Sequence, residues 1–240
     1  MAKPQRIVLI RHGNSAANAD ASIRAHLPDH RIPLTPKGHR EAEQAGKALV
    51  ELFGDLPVHV YLSPYLRTRE TFESIKRGAG DRLNIFRAFE DPRLREQDFG
   101  HLRAAEAHAL IEAERAAYGS FYFRLPDGES GADVYDRVTT FLDTLYRDFE
   151  NPHYPPNVLI VTHGLTIRLL LMRWLHWSVE TFERLKSPRN CEHFILALGA
   201  DNKYHLQTPM REHSEEETEE YRRSVRGERG PKDDGHGAKG

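Results

Sequence analysis

The sequence predicts an α/β fold, a three-layer sandwich in which helices cover both faces of a mostly parallel central sheet. Three observations carry this reading. Residues 7–10 (IVLI), 58–62 (VHVYL) and 158–161 (VLIV) are short apolar runs of strand length. Amphipathic stretches of helical period alternate with them, the order that places parallel strands beneath crossover helices. Two of the runs, far apart in the chain, end in the same way, VLIRHG and VLIVTHG. Strand ends on one edge of such a sheet are where binding sites collect.

The elements follow in order. After the first strand and a polar loop, PLTPKG (33–38) opens a helix, with Thr35 as cap, Pro36 at the first helical position and Leu34 as staple. Ala42, Ala45, Leu49 and Leu52 then recur at helical spacing until Gly54 ends the run. Strand 58–62 passes into Ser63-Pro64, which is read as the start of a second helix ending near Gly78. Residues 83–88 are expected as a third strand, and 102–117, rich in Ala and Glu, as a helix outside the sheet. Ser130 caps a helix whose apolar face is Val134, Val138, Phe141, Leu145 and Phe149. NPHYPPN (151–157) is a loop, 158–161 a strand, and the segment from Thr162-His163-Gly164 to Leu175 a helix. Residues 194–198 and 203–206 are expected to pair as late strands.

Domain organisation follows from composition. Residues 1–210 are read as one folded domain, with 100–130 as a cap segment. Residues 211–240 turn almost wholly polar (EEETEE, then RRSVRGERG) and are expected to be a disordered tail with a short helical stretch near 215–223. Of the 240 residues, 39% are hydrophobic and 29% charged, as in water-soluble globular proteins. The net charge of -2 supplies no basic field for nucleic acid. Cys191 is the only cysteine, which excludes an intrachain disulfide. The longest greasy run, 169–175, is too short for a membrane span and contains Arg173. The expectation is a cytoplasmic protein without membrane or nucleic-acid partners; the sequence does not fix its oligomeric state.

The chemistry concentrates at the strand ends. His12 and His163 each precede a glycine, which permits a tight turn and leaves room for an anion. Arg11 precedes His12, and Arg67 lies in SPYLRT after another strand. Their guanidinium forks match phosphate oxygens. Asn18 offers a neutral donor from the loop, and Glu96 in LREQDFG a proton donor for a leaving oxygen, with Asp98 and Glu129 as rivals for that task. Ser63 lacks a nucleophile frame. The 14 histidines show no zinc-ligand spacing, so neither metal nor cofactor is expected. The stretch FYFRLPDGES (121–130) reads equally as a substrate lid or as a structural loop.

These motifs together resemble the histidine phosphatase superfamily, in its phosphoglycerate mutase-like branch. The resemblance rests on Arg11-His12-Gly13-Asn14-Ser15-Ala16-Ala17-Asn18, then PLTPKG, SPYLRTRET, LREQDFG and THG in that order. It implies His12 as nucleophile, Arg11, Asn18, Arg67 and His163 as the phosphate pocket, and Glu96 as general acid/base. Asn14, Arg124 and Glu129 would form a substrate rim, Asn14 standing where the family often has Glu or Gln. The mutases of the family carry paired arginines in the cap, whereas Arg115 and Arg124 stand apart here. The expected activity is therefore hydrolysis of a small phosphomonoester, of the histidine acid phosphatase type. Phosphoglycerate mutase-type transfer and a non-catalytic phosphate- or phosphopeptide-binding scaffold are the alternatives.

Overall fold

The structure, a computed structural model, describes residues 3–100, 111, 114–214, 216 and 217. Among them six strands form one sheet: β1 (Arg6–Arg11), β2 (Val58–Leu62), β3 (Ile85–Glu90), β4 (Asn157–Thr162), β5 (His193–Leu198) and β6 (Tyr204–Leu206). Their spatial order is β3-β2-β4-β1-β5-β6. The first four of these run parallel, and β5 and β6 complete the sheet antiparallel at the other edge. The sheet is thus mixed but mostly parallel, as the alternation of runs implies.

Each central strand divides its side chains between two cores, because successive residues point to opposite faces. Ile7, Leu9, Val158, Ile160 and Tyr61 join one core. Val8, Ile10, Leu159, Val161, Val60 and Leu62 join the other. Helices α2 (Pro36–Phe53) and α3 (Leu66–Ala79), following the four-residue α1 (Ala16–Ala19), cover the second face. Helices α4 (Gly131–Asp148), α5 (Gly164–Leu175) and α6 (Val179–Arg184) cover the first. Strands buried on both sides have no polar alternation, which is why β1 and β4 read as unbroken apolar runs.

The caps form as their residues suggest. Thr35 accepts from the Gly38 amide, with Pro36 at the first position. Ser130 and Asp133 close a reciprocal capping box. Helix α3 begins later than expected, at Leu66, with Tyr65 and not Ser63 at its N-cap. β3 occupies 85–90 where 83–88 was expected: Leu83 is buried but lies before the strand, and almost every β3 residue is exposed. Most of the expected helix 102–117 lies outside the described residues; 111 and 114–117 are helical.

The chain stays docked past residue 210. Met210 is buried, Arg211 accepts from the Lys186 amide, and the His213 amide donates to the Arg184 carbonyl. Leu185 and Glu212 form a bridge. The expected tail therefore begins as a short strand-like return, and residues 218–240 lie outside the described residues. Ending the chain after Thr208 is expected to lower stability by about 2–4 kcal/mol relative to ending it after Glu217, from the lost methionine burial and hydrogen bonds. Denaturant unfolding of the two truncations measures the difference.

Candidate active site

Three parallel strands deliver the site at their carboxyl ends. β1 ends in Arg11 and passes to His12, β4 passes to His163, and β2 passes to Ser63. The His12 amide continues the ladder by donating to the Thr162 carbonyl at 2.9 Å. Gly13 lies so close to Gly38 that a Cβ would stand 2.5 Å from the Gly38 carbonyl oxygen. The RHG turn and the PLTPKG helix start are thus fitted backbone to backbone.

His12 is nearly fully buried, and its Nδ1 lies 2.8 Å from the Gly13 carbonyl oxygen. A carbonyl only accepts, so Nδ1 carries the proton and Nε2 keeps its lone pair. His163 packs beside it, ring centroids 5.2 Å apart and tilted by 62°. Its Nε2 meets Ser63 Oγ at 2.8 Å, while Nδ1 is buried without a partner among the described residues. His163 is the N-cap residue of α5, yet its side chain does not cap the helix. Burial, with Arg67 and Arg11 nearby, holds both imidazoles well below their ordinary range.

A cleft of about 220 Å³ opens over His12. Arg11, Asn18, Arg67 and Glu96 line it, so the structure brings these four expected residues together. His163 lies behind His12 and is fully buried. Arg11 donates to the Pro188 carbonyl, and its Nε is buried without a partner among the described residues. An added Cβ at Gly164 would crowd Ser187 Oγ at 2.7 Å and meet Arg11 Nε at an ordinary contact distance of 3.6 Å. Burial lowers the Arg11 pKa, against the opposing pull of Glu96. Asn18 Oδ1 accepts from the Ser15 amide, Ser15 Oγ and Asn190 Nδ2, so its amide nitrogen is the end it can offer an anion.

Glu96 is set by the loop after β3. Thr162 Oγ1 donates to the Leu94 carbonyl and Thr166 Oγ1 to the Arg95 carbonyl, tying the loop to β4 and α5. The Gln97 amide and Thr166 Oγ1 lie 3.1 and 3.4 Å from Glu96 Oε1. The other carboxylates are placed differently. Glu129 receives Arg137 in a fork, 3.0 and 3.1 Å, and also pairs with Arg95 and accepts from the Asp98 amide. Asp98 is exposed and accepts from the Gly100 amide. Neither lines the cleft. Arg124 pairs with Asp133 at 2.6 Å on the surface, and Asn14 Oδ1 accepts from Thr35 Oγ1 at 2.8 Å. The structure leaves Asn14, Arg124 and Glu129 outside the cleft lining. Phe121 of the FYFRLPDGES stretch is a core residue, while Tyr122 is exposed.

Four charged residues of the cleft were not anticipated: Arg24, Asp29, Arg115 and Arg168. Asp29 grips Arg67. Arg168 stacks over Phe182 at 4.2 Å and donates to its carbonyl, and burial pushes its pKa down to about 10. Arg168 lies one turn along the helix that His163 opens, a spacing the sequence does display.

The buried neutral histidines give the fold a pH dependence. His59, stacked on Tyr61 and Tyr154, is also lowered by burial, and neither of its ring nitrogens has a partner among the described residues. Unfolded, each of these histidines takes up a proton near pH 6.5; folded, it resists doing so. Stability is thus fully present above about pH 6.5 and falls as the pH drops from there toward the folded-state values, by up to about 1.4 kcal/mol per unit per histidine. The melting temperature is expected to decline below that pH, and His59→Phe to flatten part of the slope.

Among the described residues no helix is long and apolar enough to cross a membrane, and no group of three or more His, Cys, Asp or Glu is placed to hold a metal ion. Comparison with known proteins extends these observations. The family model "Histidine phosphatase superfamily (branch 1)" matches residues 7–208. The chain is 42% identical over 229 residues to the phosphoglycerate mutase-like protein AT74H of Arabidopsis thaliana, covering 89% of this chain and 80% of that one. It is 29% identical over 301 residues to the broad-range acid phosphatase DET1 of Saccharomyces cerevisiae, covering 87% and 90%. A mycobacterial glucosyl-3-phosphoglycerate phosphatase solved with inorganic phosphate shares the fold, with a TM-score of 0.66 at 22% identity over 88% of this chain and 98% of that one. With the strand-end histidines, the arginine-lined cleft and a family match over most of its length, the chain belongs to the histidine phosphatase superfamily, branch 1.

Proposed function

We propose that the protein hydrolyses phosphomonoesters through a phosphohistidine at His12. One observation carries the reading: Nδ1 of His12 is committed to the Gly13 carbonyl, which leaves Nε2 as the lone pair of a histidine that lines an arginine-rich cleft. Nε2 attacks phosphorus as the ester P–O bond breaks. Arg11 and Arg67 balance the charge on the phosphoryl oxygens. The Glu96 carboxyl gives its proton to the departing oxygen. Its carboxylate then takes a proton from water, whose oxygen attacks the phosphohistidine, releasing inorganic phosphate and restoring Nε2. His163, held by Ser63, packs its ring against that of His12 and fixes the orientation of the nucleophile.

The absence of an adjacent arginine pair in 103–124 favours water over a second substrate oxygen as the acceptor. The name of the yeast relative, an acid phosphatase, agrees with hydrolysis, and that of the plant relative, mutase-like, keeps transfer as the competing reading. A panel of phosphoesters run on the wild type beside His12→Ala tests the proposal, with chemical trapping of acid-labile, base-stable phosphate on the protein. Interconversion of 2- and 3-phosphoglycerate faster than phosphate release would make it a mutase. Ester binding without turnover by the wild type would make it a scaffold.

A further inference from the structure

The phosphate-binding arginine is already held by a carboxylate. Arg67 is 4% exposed, and its terminal nitrogens Nη1 and Nη2 meet Asp29 Oδ1 and Oδ2 at 3.3 and 2.9 Å. Nη1 also donates to the Asp29 carbonyl at 2.6 Å. Asp29 opens a one-turn helix, Asp29–Arg31, whose end is pinned by the fully buried Ile32 and by the bridge between Ser15 and Leu34. Its carboxylate lines the same cleft as His12. A negative charge therefore stands in a pocket built for an anion, on the guanidinium that the anion needs.

From this geometry we infer that Asp29 is a specificity-determining residue that selects the monoanionic form of the phosphate group. The inference rests on the phosphatase reading above and names the ionisation state its site accepts. Asp29 consumes the Nη1–Nη2 edge of Arg67 and leaves the Nε–Nη2 edge for the ligand. A phosphoryl group on that edge lies close to the carboxylate. The dianion has only acceptor oxygens and meets Asp29 as one negative charge meets another. The monoanion retains a P–OH, which donates to Asp29 in a charge-assisted hydrogen bond while its other oxygens accept from the arginines. The same carboxylate thus repels one form and accepts a proton-bearing oxygen from the other.

The surroundings do not supply this discrimination. Tyr65, under the Arg67 guanidinium at 4.9 Å, has its pKa pushed up to about 12 and stays neutral across the relevant range. His30 lies beside Asp29 in the turn, its ring 6.4 Å from that of Tyr65. Arg11, Arg24, Arg115 and Arg168 attract either form, the dianion more strongly. Glu96 is the other carboxylate lining the cleft among the described residues, and it accepts from the Gln97 amide rather than from an arginine that grips phosphate. Burial, with Arg67 nearby, lowers the pKa of both His12 and His163 well below its ordinary value.

Binding of inorganic phosphate, measured by calorimetry from about pH 5 to about pH 8.5, spans the second ionisation of the ligand and requires no turnover. The wild type is expected to bind more weakly as the pH rises through that ionisation. Asp29→Asn, which keeps the shape and removes the charge, is expected to bind at least about tenfold tighter than wild type at the high end and about equally at the low end. Asp29→Glu, which restores the charge, is expected to recover the wild-type pH dependence, and Asp29→Ser gives the same readout as Asn should the amide fail to fold. Uniform weakening by Asp29→Asn at every pH would reduce Asp29 to a brace for Arg67 and overturn the inference. So would a pH dependence that the substitution leaves unchanged. Failure of the wild type to bind phosphate at any pH would overturn the phosphatase reading along with it.

Discussion

His12→Ala is expected to abolish turnover, with a fall of at least about 10⁴-fold in kcat, and to leave the fold intact. The expectation follows from what the side chain does in each state. Among the described residues the ring makes one hydrogen bond, to the carbonyl of the next residue, and edge contact with His163. No strand ladder or core cluster depends on it. Truncation removes a buried imidazole at the floor of an open cleft, where water can enter the space. It also removes one group that acid must charge on unfolding, so the acid limb of the stability curve should soften, not steepen. In the reaction the same ring supplies the electron pair that breaks the P–O bond, and no neighbour can replace it: Nε2 of His163 is engaged by Ser63 and its ring lies behind that of His12. Circular dichroism, the melting temperature and inorganic-phosphate binding should therefore stay near wild type while hydrolysis and the acid-labile phosphate label disappear. Wild-type turnover by the variant would remove His12 as nucleophile.

What the sequence disclosed follows the physics of each element. β1 and β4 are buried on both faces, so their apolar runs are long enough to place them and the histidines that follow. β3 sits at the sheet edge with its side chains exposed, and hydrophobicity cannot fix the ends of such a strand. Thr35 and Ser130 cap their helices through contacts within three residues, which a sequence displays directly. Ser63 was read as a helix start, but its hydroxyl serves a partner one hundred residues away. The site shows the same division. Arg11 ends a strand, Arg67 and Glu96 follow strands closely, and the cleft gathers them. Asp29 arrives from an irregular stretch, 20–31, whose path no period predicts; an aspartate there reads as a turn residue until its distance to Arg67 is known. Glu129 was a plausible acid by type alone, and only the fork from Arg137 shows where that carboxylate is spent.

Glu96→Gln is expected to harm esters with poor leaving groups far more than those with good ones. An alkoxide departing from an alkyl phosphate is strongly basic and needs a proton as the P–O bond breaks, so loss of the acid should slow that step by on the order of 10²–10⁴-fold. A nitrophenolate is stable as an anion, and phosphorylation of His12 by an aryl ester should be slowed much less. The substitution is conservative in packing. Glutamine keeps a side-chain oxygen for the Gln97 amide, which now holds the carboxylate in place. The anchors of the loop through Leu94 and Arg95 are main-chain carbonyls and do not involve the side chain at all. Steady-state rates mix two roles, because the same carboxylate activates water in the second step. The pre-steady-state burst of alcohol or phenol separates them, since it reports phosphorylation of His12 alone. Unequal losses in the burst, large for alkyl and small for aryl esters, would mark Glu96 as the acid. Equal losses would deny it that role and direct attention to Asp98, which lies two residues on and is exposed, before Glu129, which two arginines already hold. An unchanged burst followed by slow turnover would confine Glu96 to dephosphorylation, where the water that attacks the phosphohistidine must lose a proton to some base in the cleft.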